Sequence, residues 1–371
     1  MKKGFFRGCS YPEASPPLPP SPGRCGKVVA PFTLVSARAI GVDEVQCSER
    51  YSTLLHCGQW SFLLRRVEER HGRTIHQDTW QTVLRSTDLS EANRFSSSPR
   101  VTLPNTLNMS HNAAFSCVDG AVVAWGGRRK IAYPRKPYNE PGIFRAEGRI
   151  DSRGGLVWGP PRLVLDGAIG SGCVDRRRTV GRLCEFDGKV SVAQHGGRTY
   201  LFARANLGEF CGGRSAQVTS SPDGVSGWSR WSLLRFADEA LDRAEQTGDG
   251  VYFIAVRSQA GRLVGYMPGL IRGVGGIYRS ESSDGIQWSK PKLLIQSAVQ
   301  PEGRTADYPV DGSFSAVGSS ETVGSSSAWS SGRSQLDVEH AVQLDHGDDL
   351  KSCAARPYIC RWSDRNREAI A

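Results

Sequence analysis

From about residue 108 onward, apolar runs of four to seven residues alternate with Asp-Gly, Gly-Gly and Pro-containing breaks. Short runs bounded by turn residues predict strands rather than helices. Asp119-Gly120 sits between apolar, β-branched flanks over 118–125, and Gly196-Gly197 holds the turn position of a similar segment over 194–202. Both segments read as hairpins, because those dipeptides tolerate the positive φ that a tight two-residue turn requires. Phe62-Leu63-Leu64-Arg65-Arg66-Val67-Glu68-Glu69 fits a strand or a short helix equally well. Residues 10–25 are rich in Pro and Ser and predict an irregular leader. Residues 313–334 are a Ser/Gly-rich, low-complexity stretch, expected to be a flexible insertion in the last repeat.

One element recurs. Ser282-Ser283-Asp284-Gly285-Ile286-Gln287-Trp288 matches Ser221-Pro222-Asp223-Gly224-Val225-Ser226-Gly227-Trp228, each followed by a Leu-Leu strand signal. Asp151 to Trp158 is a looser copy, and the weakest ends at Arg361-Trp362. The tryptophans lie 70, 60 and 74 residues apart, which suits one four-stranded sheet per copy. In each copy the Asp carboxylate can accept backbone N–H bonds while the tryptophan folds back onto the hairpin, so this Asp is read as structural.

The predicted fold class is therefore all-β, a β-propeller with five blades, an irregular N-terminal leader and a low-complexity insertion. The expected division is a leader over 1–50, a segment over 51–107 that could supply first-blade strands, the propeller over 108–363, and a tail over 364–371. High Gly (42) and Pro (20) counts in 371 residues agree with many short strands and tight turns.

The formal net charge of +10 suits acidic partners, anionic glycans among them. The basic clusters are short (Arg65-Arg66, Arg128-Arg129-Lys130, Arg176-Arg177-Arg178) and lack interleaved aromatics, which argues against nucleic acid. Ten cysteines show neither CxxC nor zinc-like spacing; their even number permits disulfides in an oxidising compartment. No clear signal peptide, membrane-span pattern or cofactor motif is read, so the expectation is a soluble protein without metal or cofactor, in an unassigned compartment.

Four constellations could carry chemistry. In Cys184-Glu185-Phe186-Asp187, strand alternation would set Glu185 and Asp187 side by side, and their repulsion would favour one holding its proton, as acid–base work requires. The structural alternative is a solvated Glu185 beside an Asp187-Gly188 turn. Arg204 and Asn206 share a face by the same alternation, and Arg214 follows Gly212-Gly213; these could orient a carboxylate or bind an acidic sugar substituent. Asp307-Tyr308-Pro309 and Asp311 combine acids with an aromatic able to stack on a sugar. His111 and Asn112 stand just ahead of the first clear hairpin.

The Asp–Trp element resembles the Asp-box (BNR-type) turn of sialidase-like propellers. It also resembles the Ser-x-Asp-Gly-x-x-Trp turns of five-bladed glycosidase-like proteins related to arabinanases and invertases. The resemblance spans about residues 108–363. It implies acidic residues brought to a central axis by successive inner strands: a base or nucleophile from blade one, and a pKa modulator and proton donor from later blades. At the position taken as blade one this chain has His111-Asn112 and no carboxylate, leaving Glu185, Asp187, Asp307 and Asp311. The expected function is a carbohydrate-active, glycoside hydrolase-like enzyme with Glu185, Asp187 and Asp307 catalytic. His111, Asn112, Arg204, Asn206, Arg214, Tyr308 and Asp311 would bind substrate. A non-catalytic glycan- or protein-binding propeller is the alternative.

Overall fold

The structure, a computed structural model, describes residues 27–28, 32–39, 53–58, 60–71, 74–84, 101–102, 113–128, 142–166, 190–207, 214–242, 250–296, 307–309, 316–317, 337–344 and 357–364. Almost all of them lie in strands or in the turns between strands. Two strands come first, β1 (Lys27–Val28) and β2 (Phe32–Ala39). The first complete sheet is the antiparallel β3 (Thr53–Cys57), β4 (Trp60–His71), β5 (Thr74–Leu84) and β6 (Val101–Thr102). The ambiguous run at 62–69 is thus part of a strand. Phe62 pairs with Leu55 on one side and Leu84 on the other, and burial of its ring in a central strand decides the ambiguity.

The second sheet contains β7 (Ala114–Val118), β8 (Ala121–Arg128), β9 (Gly142–Ile150), β10 (Leu156–Trp158) and β11 (Arg162–Asp166). The third follows the same plan with β12 (Ser191–His195), β13 (Arg198–Asn206), β14 (Arg214–Ser221) and β15 (Ser232–Leu233). After β16 (Arg235–Phe236) and α1 (Glu239–Asp242) comes a fourth. It is built from β17 (Gly250–Val251), β18 (Ala255–Gln259), β19 (Arg262–Ile271), β20 (Val274–Ser282) and β22 (Lys292–Gln296), while β21 (Gln287–Trp288) pairs parallel with β16 in a separate two-stranded sheet. The last sheet contains β23 (Asp307–Pro309), β24 (Ala316–Val317), β25 (Asp337–Leu344) and β26 (Pro357–Asp364), and β2 adds to it by pairing antiparallel with β26. An N-terminal strand thereby completes the C-terminal sheet, so the ends of the β-rich region are tied by backbone hydrogen bonds. Among the described residues, no helix is long and apolar enough to cross a membrane.

Local sequence explains the hairpins. Asp119-Gly120, Gly196-Gly197, Ala260-Gly261 and Arg272-Gly273 all have positive φ at both central residues, as type I′ turns require. The two predicted hairpins, β7–β8 and β12–β13, form with the turns where the dipeptides place them.

Apolar side chains fill the spaces between sheets in three clusters. Leu55, Cys57 and Phe62 meet Phe115, Phe144 and Phe253. Trp125, Val123 and Leu165 meet Leu201, Ala203 and Trp231. Phe202, Val218 and Leu234 meet Ile254, Leu263, Met267 and Trp288. Each fully buried large side chain contributes roughly 1.5–3 kcal/mol relative to exposure. A disulfide between Cys57 of β3 and Cys117 of β7 adds a covalent tie across the first interface. At the third-to-fourth interface, the Ser191 hydroxyl accepts a hydrogen bond from the Val256 backbone N–H at 2.9 Å.

The repeated Asp turns take one geometry. Asp223 Oδ1 accepts from the backbone N–H of Val225 and Ser226, and Asp284 Oδ1 accepts from those of Ile286 and Gln287. The Ser221 and Ser282 hydroxyls accept from the Gly224 and Gly285 N–H groups. The looser copy at 151–158 closes differently, with Asp151 Oδ1 taking the Arg153 and Gly155 N–H groups.

Candidate functional site

Arg204 lies near the end of β13 and Arg214 opens β14, with the β13–β14 register pairing Arg214 to Asn206 and Arg204 to Ala216. Side chains two apart along a strand share a face, so Arg204 points the same way as Phe202, into the space between the third and fourth sheets. Tyr252 meets both arginines there. The Arg204 guanidinium carbon is 5.0 Å from the Tyr252 ring centroid, and that of Arg214 is 4.9 Å away. Sequence reasoning selected Arg204, Asn206 and Arg214 but missed Tyr252. It lies 38 residues beyond Arg214, outside any motif, and only the packing of two sheets joins them.

The backbone explains this convergence. Gly250 of β17 pairs parallel with Arg214 of β14, the point where the third and fourth sheets touch. A Cβ at Gly250 would stand 2.5 Å from the Arg214 carbonyl oxygen, so only glycine admits that approach. Tyr252, two residues on, donates its backbone N–H to the Pro268 carbonyl at 2.8 Å, which fixes the strand beside the arginines. From below, the buried Gln217 amide donates to the Arg204 carbonyl at 3.2 Å. Arg204 is 3% exposed and Arg214 half-buried, so one guanidinium is embedded and its neighbour is within reach of solvent. Cation–π contacts of this kind contribute roughly 0.5–2 kcal/mol, more as water is excluded.

This cluster occupies a definite end of the molecule. The parallel pairing of β14 with β17 means that β12, β14 and β17–β18 run in one direction. Arg214 opens β14, Gly250 opens β17, and Arg204 lies past the residue opposite the first residue of β12. All three therefore mark the end at which β12 and β17–β18 begin. At the same end, buried Asp238 forms a two-pronged ion pair with Arg272, at 2.8 and 3.0 Å, on the β19–β20 turn. The Asp238 carboxylate also accepts the Ala240 backbone N–H, so it anchors α1 and the turn together.

Three further described carboxylates have structural partners. Asp223 is held far below the usual aspartate range, first by the Ser226 backbone N–H and then by the Ser226 hydroxyl, the Val225 N–H and the Ser221 hydroxyl. At Asp284 burial pushes upward, but the Gln287 and Ile286 N–H groups and the Ser282 hydroxyl together outweigh it and hold the group down. A carboxylate committed to turn donors is a poor proton shuttle. Glu281 is shared by Arg279 and Arg262 on the fourth sheet.

His111, Asn112, Glu185, Asp187 and Asp311 lie outside the described residues, as do the side chains of Asn206, Asp307 and Tyr308. The backbone of Asp307 and Tyr308 belongs to β23. One feature of the topology alters the setting of His111-Asn112: β3–β6 precedes β7, so β7 opens the second sheet in chain order rather than the first. Among the described residues, no group of three or more His, Cys, Asp or Glu side chains is placed to hold a metal ion.

No established family description matches the sequence, and no curated protein matches it. The fold has clear counterparts among solved structures. The catalytic domain of the Coprinopsis cinerea GH62 α-L-arabinofuranosidase aligns with a TM-score of 0.52 at 11% identity, covering 91% of this chain and 98% of that one. An α-L-arabinofuranosidase from Podospora anserina, solved with cellotriose, aligns with a TM-score of 0.50 at 9% identity, covering 91% and 97%. The chain is an all-β protein with the β-propeller fold of these glycosidases. At such identity the likeness concerns the fold.

Proposed function

We propose that this chain is a carbohydrate-active propeller of five blades that hydrolyses a glycosidic bond, with Glu185 and Asp187 in the acid–base roles and Asp307 a third catalytic carboxylate. The observation that carries this reading is the common direction of β12, β14 and β17–β18, with Arg204, Tyr252 and Arg214 gathered where the inner strands start. A propeller gives every inner strand the same direction, and this reading requires the segments preceding β7 and β12, and β23 itself, to bring His111-Asn112, Glu185 with Asp187, and Asp307 to that end. The Asp223 and Asp284 turns serve as Asp-box elements, holding hairpins rather than substrate.

The reading also needs a blade-one carboxylate. With β3 as the first inner strand, the acids just ahead of it in sequence are Asp43, Glu44 and Glu49. Substrate would be held by Arg204, Arg214, Asn206 and Tyr308, with His111, Asn112 and Asp311 at the rim. The net charge of +10 favours an anionic glycan.

The test is turnover of a polysaccharide panel with product analysis, for the native chain and for Glu185→Gln and Asp187→Asn. Removal of an acid–base group costs about 10²–10⁴-fold in rate. Unaltered turnover in both variants with intact folding discards the assignment. Glycan retained without cleavage by the native chain would establish a binding propeller instead.

A further inference from the structure

We infer that the Cys57–Cys117 disulfide is a redox-controlled clamp: its oxidation fastens the first sheet to the second, and its reduction loosens the first sheet while the third and fourth stay joined. Cys57 closes the β3–β4 hairpin opposite Trp60, and Cys117 lies one residue short of the closing pair of β7–β8. The third and fourth sheets repeat this placement without sulfur. His195 closes the β12–β13 hairpin opposite Arg198, and Ser258 lies one residue short of the closing pair of β18–β19. His195 Nδ1 meets the Ser258 hydroxyl at 3.0 Å. The first strands of neighbouring sheets are thus tied at the same position in both pairs, by a covalent bond in one and a hydrogen bond in the other. Of the two ties, the covalent one answers to a thiol reductant.

The bridge sits where the first sheet meets the second. Trp60, across the hairpin from Cys57, lies against the Asp151 turn, where a Cβ at Gly154 would stand 2.9 Å from the Trp60 ring. Cys57 is buried beside Leu55 and Phe62, whereas Cys117 is half-buried, so a small thiol reaches the bridge from the Cys117 side. Closure needs an oxidant, and a small disulfide such as oxidised glutathione supplies it. The Cys117 thiolate attacks that disulfide, forming a mixed disulfide and expelling one glutathione thiolate. The Cys57 thiolate then attacks the Cys117 sulfur and expels the second. Two protein thiols thereby pass two electrons and two protons to two glutathione molecules, and dithiothreitol runs the exchange backward. The clamped form belongs to an oxidising compartment, because cytosolic glutathione and thioredoxin keep thiols reduced. At the third-to-fourth junction, the His195–Ser258 and Ser191–Val256 hydrogen bonds are indifferent to thiols.

Peptide-resolved hydrogen exchange on the full chain, with and without dithiothreitol, tests the clamp once the protein has been folded in a glutathione redox buffer. Non-reducing peptide mapping should first recover a Cys57–Cys117 cross-link. Reduction should then speed exchange over β3 (53–57) and β7 (114–118) by roughly tenfold or more, while β12 (191–195) and β18 (255–259) change less than about twofold. Cys57→Ala with Cys117→Ala controls for the remaining cysteines: β3 should exchange fast from the outset and gain nothing further from dithiothreitol. His195→Cys with Ser258→Cys transfers the clamp to the matching position, where it should cross-link in the same buffer and make β12 sensitive to reductant. Free thiols at 57 and 117 after folding, β3 exchange unmoved by reduction, or equal acceleration in all of these strands overturns the clamp. Failure of the 195/258 double variant to cross-link overturns the positional match from which it is argued.

Discussion

The Trp288 indole N–H donates to the carbonyl of Gly285, three residues earlier, at 2.9 Å, and so closes its own Asp turn. In the preceding copy, where Gly227 adds a residue, the equivalent Gly224 carbonyl is instead approached at 3.5 Å by the indole N–H of Trp125 from the second sheet. One acceptor is thus served locally in one repeat and by a neighbouring sheet in the other. Trp288 is 2% exposed and packs edge-on to Phe202 at 6.0 Å, which makes it a keystone of the third-to-fourth interface. Trp288→Ala should cost about 3–5 kcal/mol from cavity formation and the orphaned carbonyl, measured by urea denaturation. Trp288→Phe should cost less by restoring most of the packing. A loss under about 1 kcal/mol for the alanine variant would contradict the packing role.

Acid sensitivity follows from the Asp turns. Asp223 and Asp284 both sit below the ordinary aspartate value of 3.8 when folded. A depressed folded pKa stabilises the native state above the unfolded value, and that contribution disappears as pH falls through the folded value. Stability should therefore drop as pH is lowered from about 4 downward, with the turn carboxylates contributing nothing to any change between about pH 6 and 8. Asp284→Asn should flatten the acid limb of a plot of denaturation midpoint against pH. An unchanged acid limb would show that the Ile286 and Gln287 donors do not discriminate the charged form.

The legible parts of this fold are those governed by nearby residues. Asp119-Gly120 and Gly196-Gly197 announce their hairpins because the backbone conformation they permit is a property of the dipeptide. The Asp–Trp spacing announces repeated sheets because the hydrogen bonds of the turn span only a few residues. The run at 62–69 was not legible, since its strand state depends on Leu55 and Leu84 flanking Phe62. Tyr252 was invisible for a similar reason: its partners lie on another sheet. Period-2 alternation selected Arg204, but the aromatic that gathers it with Arg214 belongs to long-range packing.

The Cys57–Cys117 disulfide closes a 60-residue separation between the first two sheets. Cross-linking a loop of that length lowers unfolded-chain entropy by about 4 kcal/mol equivalent at room temperature. Cys57→Ala with Cys117→Ala should lower the melting temperature, and reductant should lower that of the native protein toward the same value. Cys57 is buried beside Leu55 and Phe62, so part of the loss will be packing. A melting temperature unmoved by both treatments would mean that the first sheet is held by its apolar contacts alone.

Gly250 provides the sharpest link between fold and site. Its backbone pairs with Arg214, and a Cβ would lie 2.5 Å from the Arg214 carbonyl oxygen and 3.0 Å from its nitrogen. Both obstacles are backbone atoms, which cannot rotate aside as a side chain could. Gly250→Ala should therefore push β17 away from β14 at the point where Tyr252 meets the arginines. The strain should cost about 1–3 kcal/mol, as overpacking does elsewhere. Because Tyr252 follows two residues later, glycan affinity should fall together with stability, while Gly261→Ala supplies a control. Gly261 has φ +72 in the β18–β19 turn with no heavy atom within 4 Å of a modest Cβ, so its substitution strains the backbone without touching the crossing. Isothermal titration beside chemical denaturation distinguishes the two positions. Equal stability losses with affinity reduced only at Gly250 would tie the ligand site to this crossing, whereas equal affinity losses at both would reduce the effect to general destabilisation.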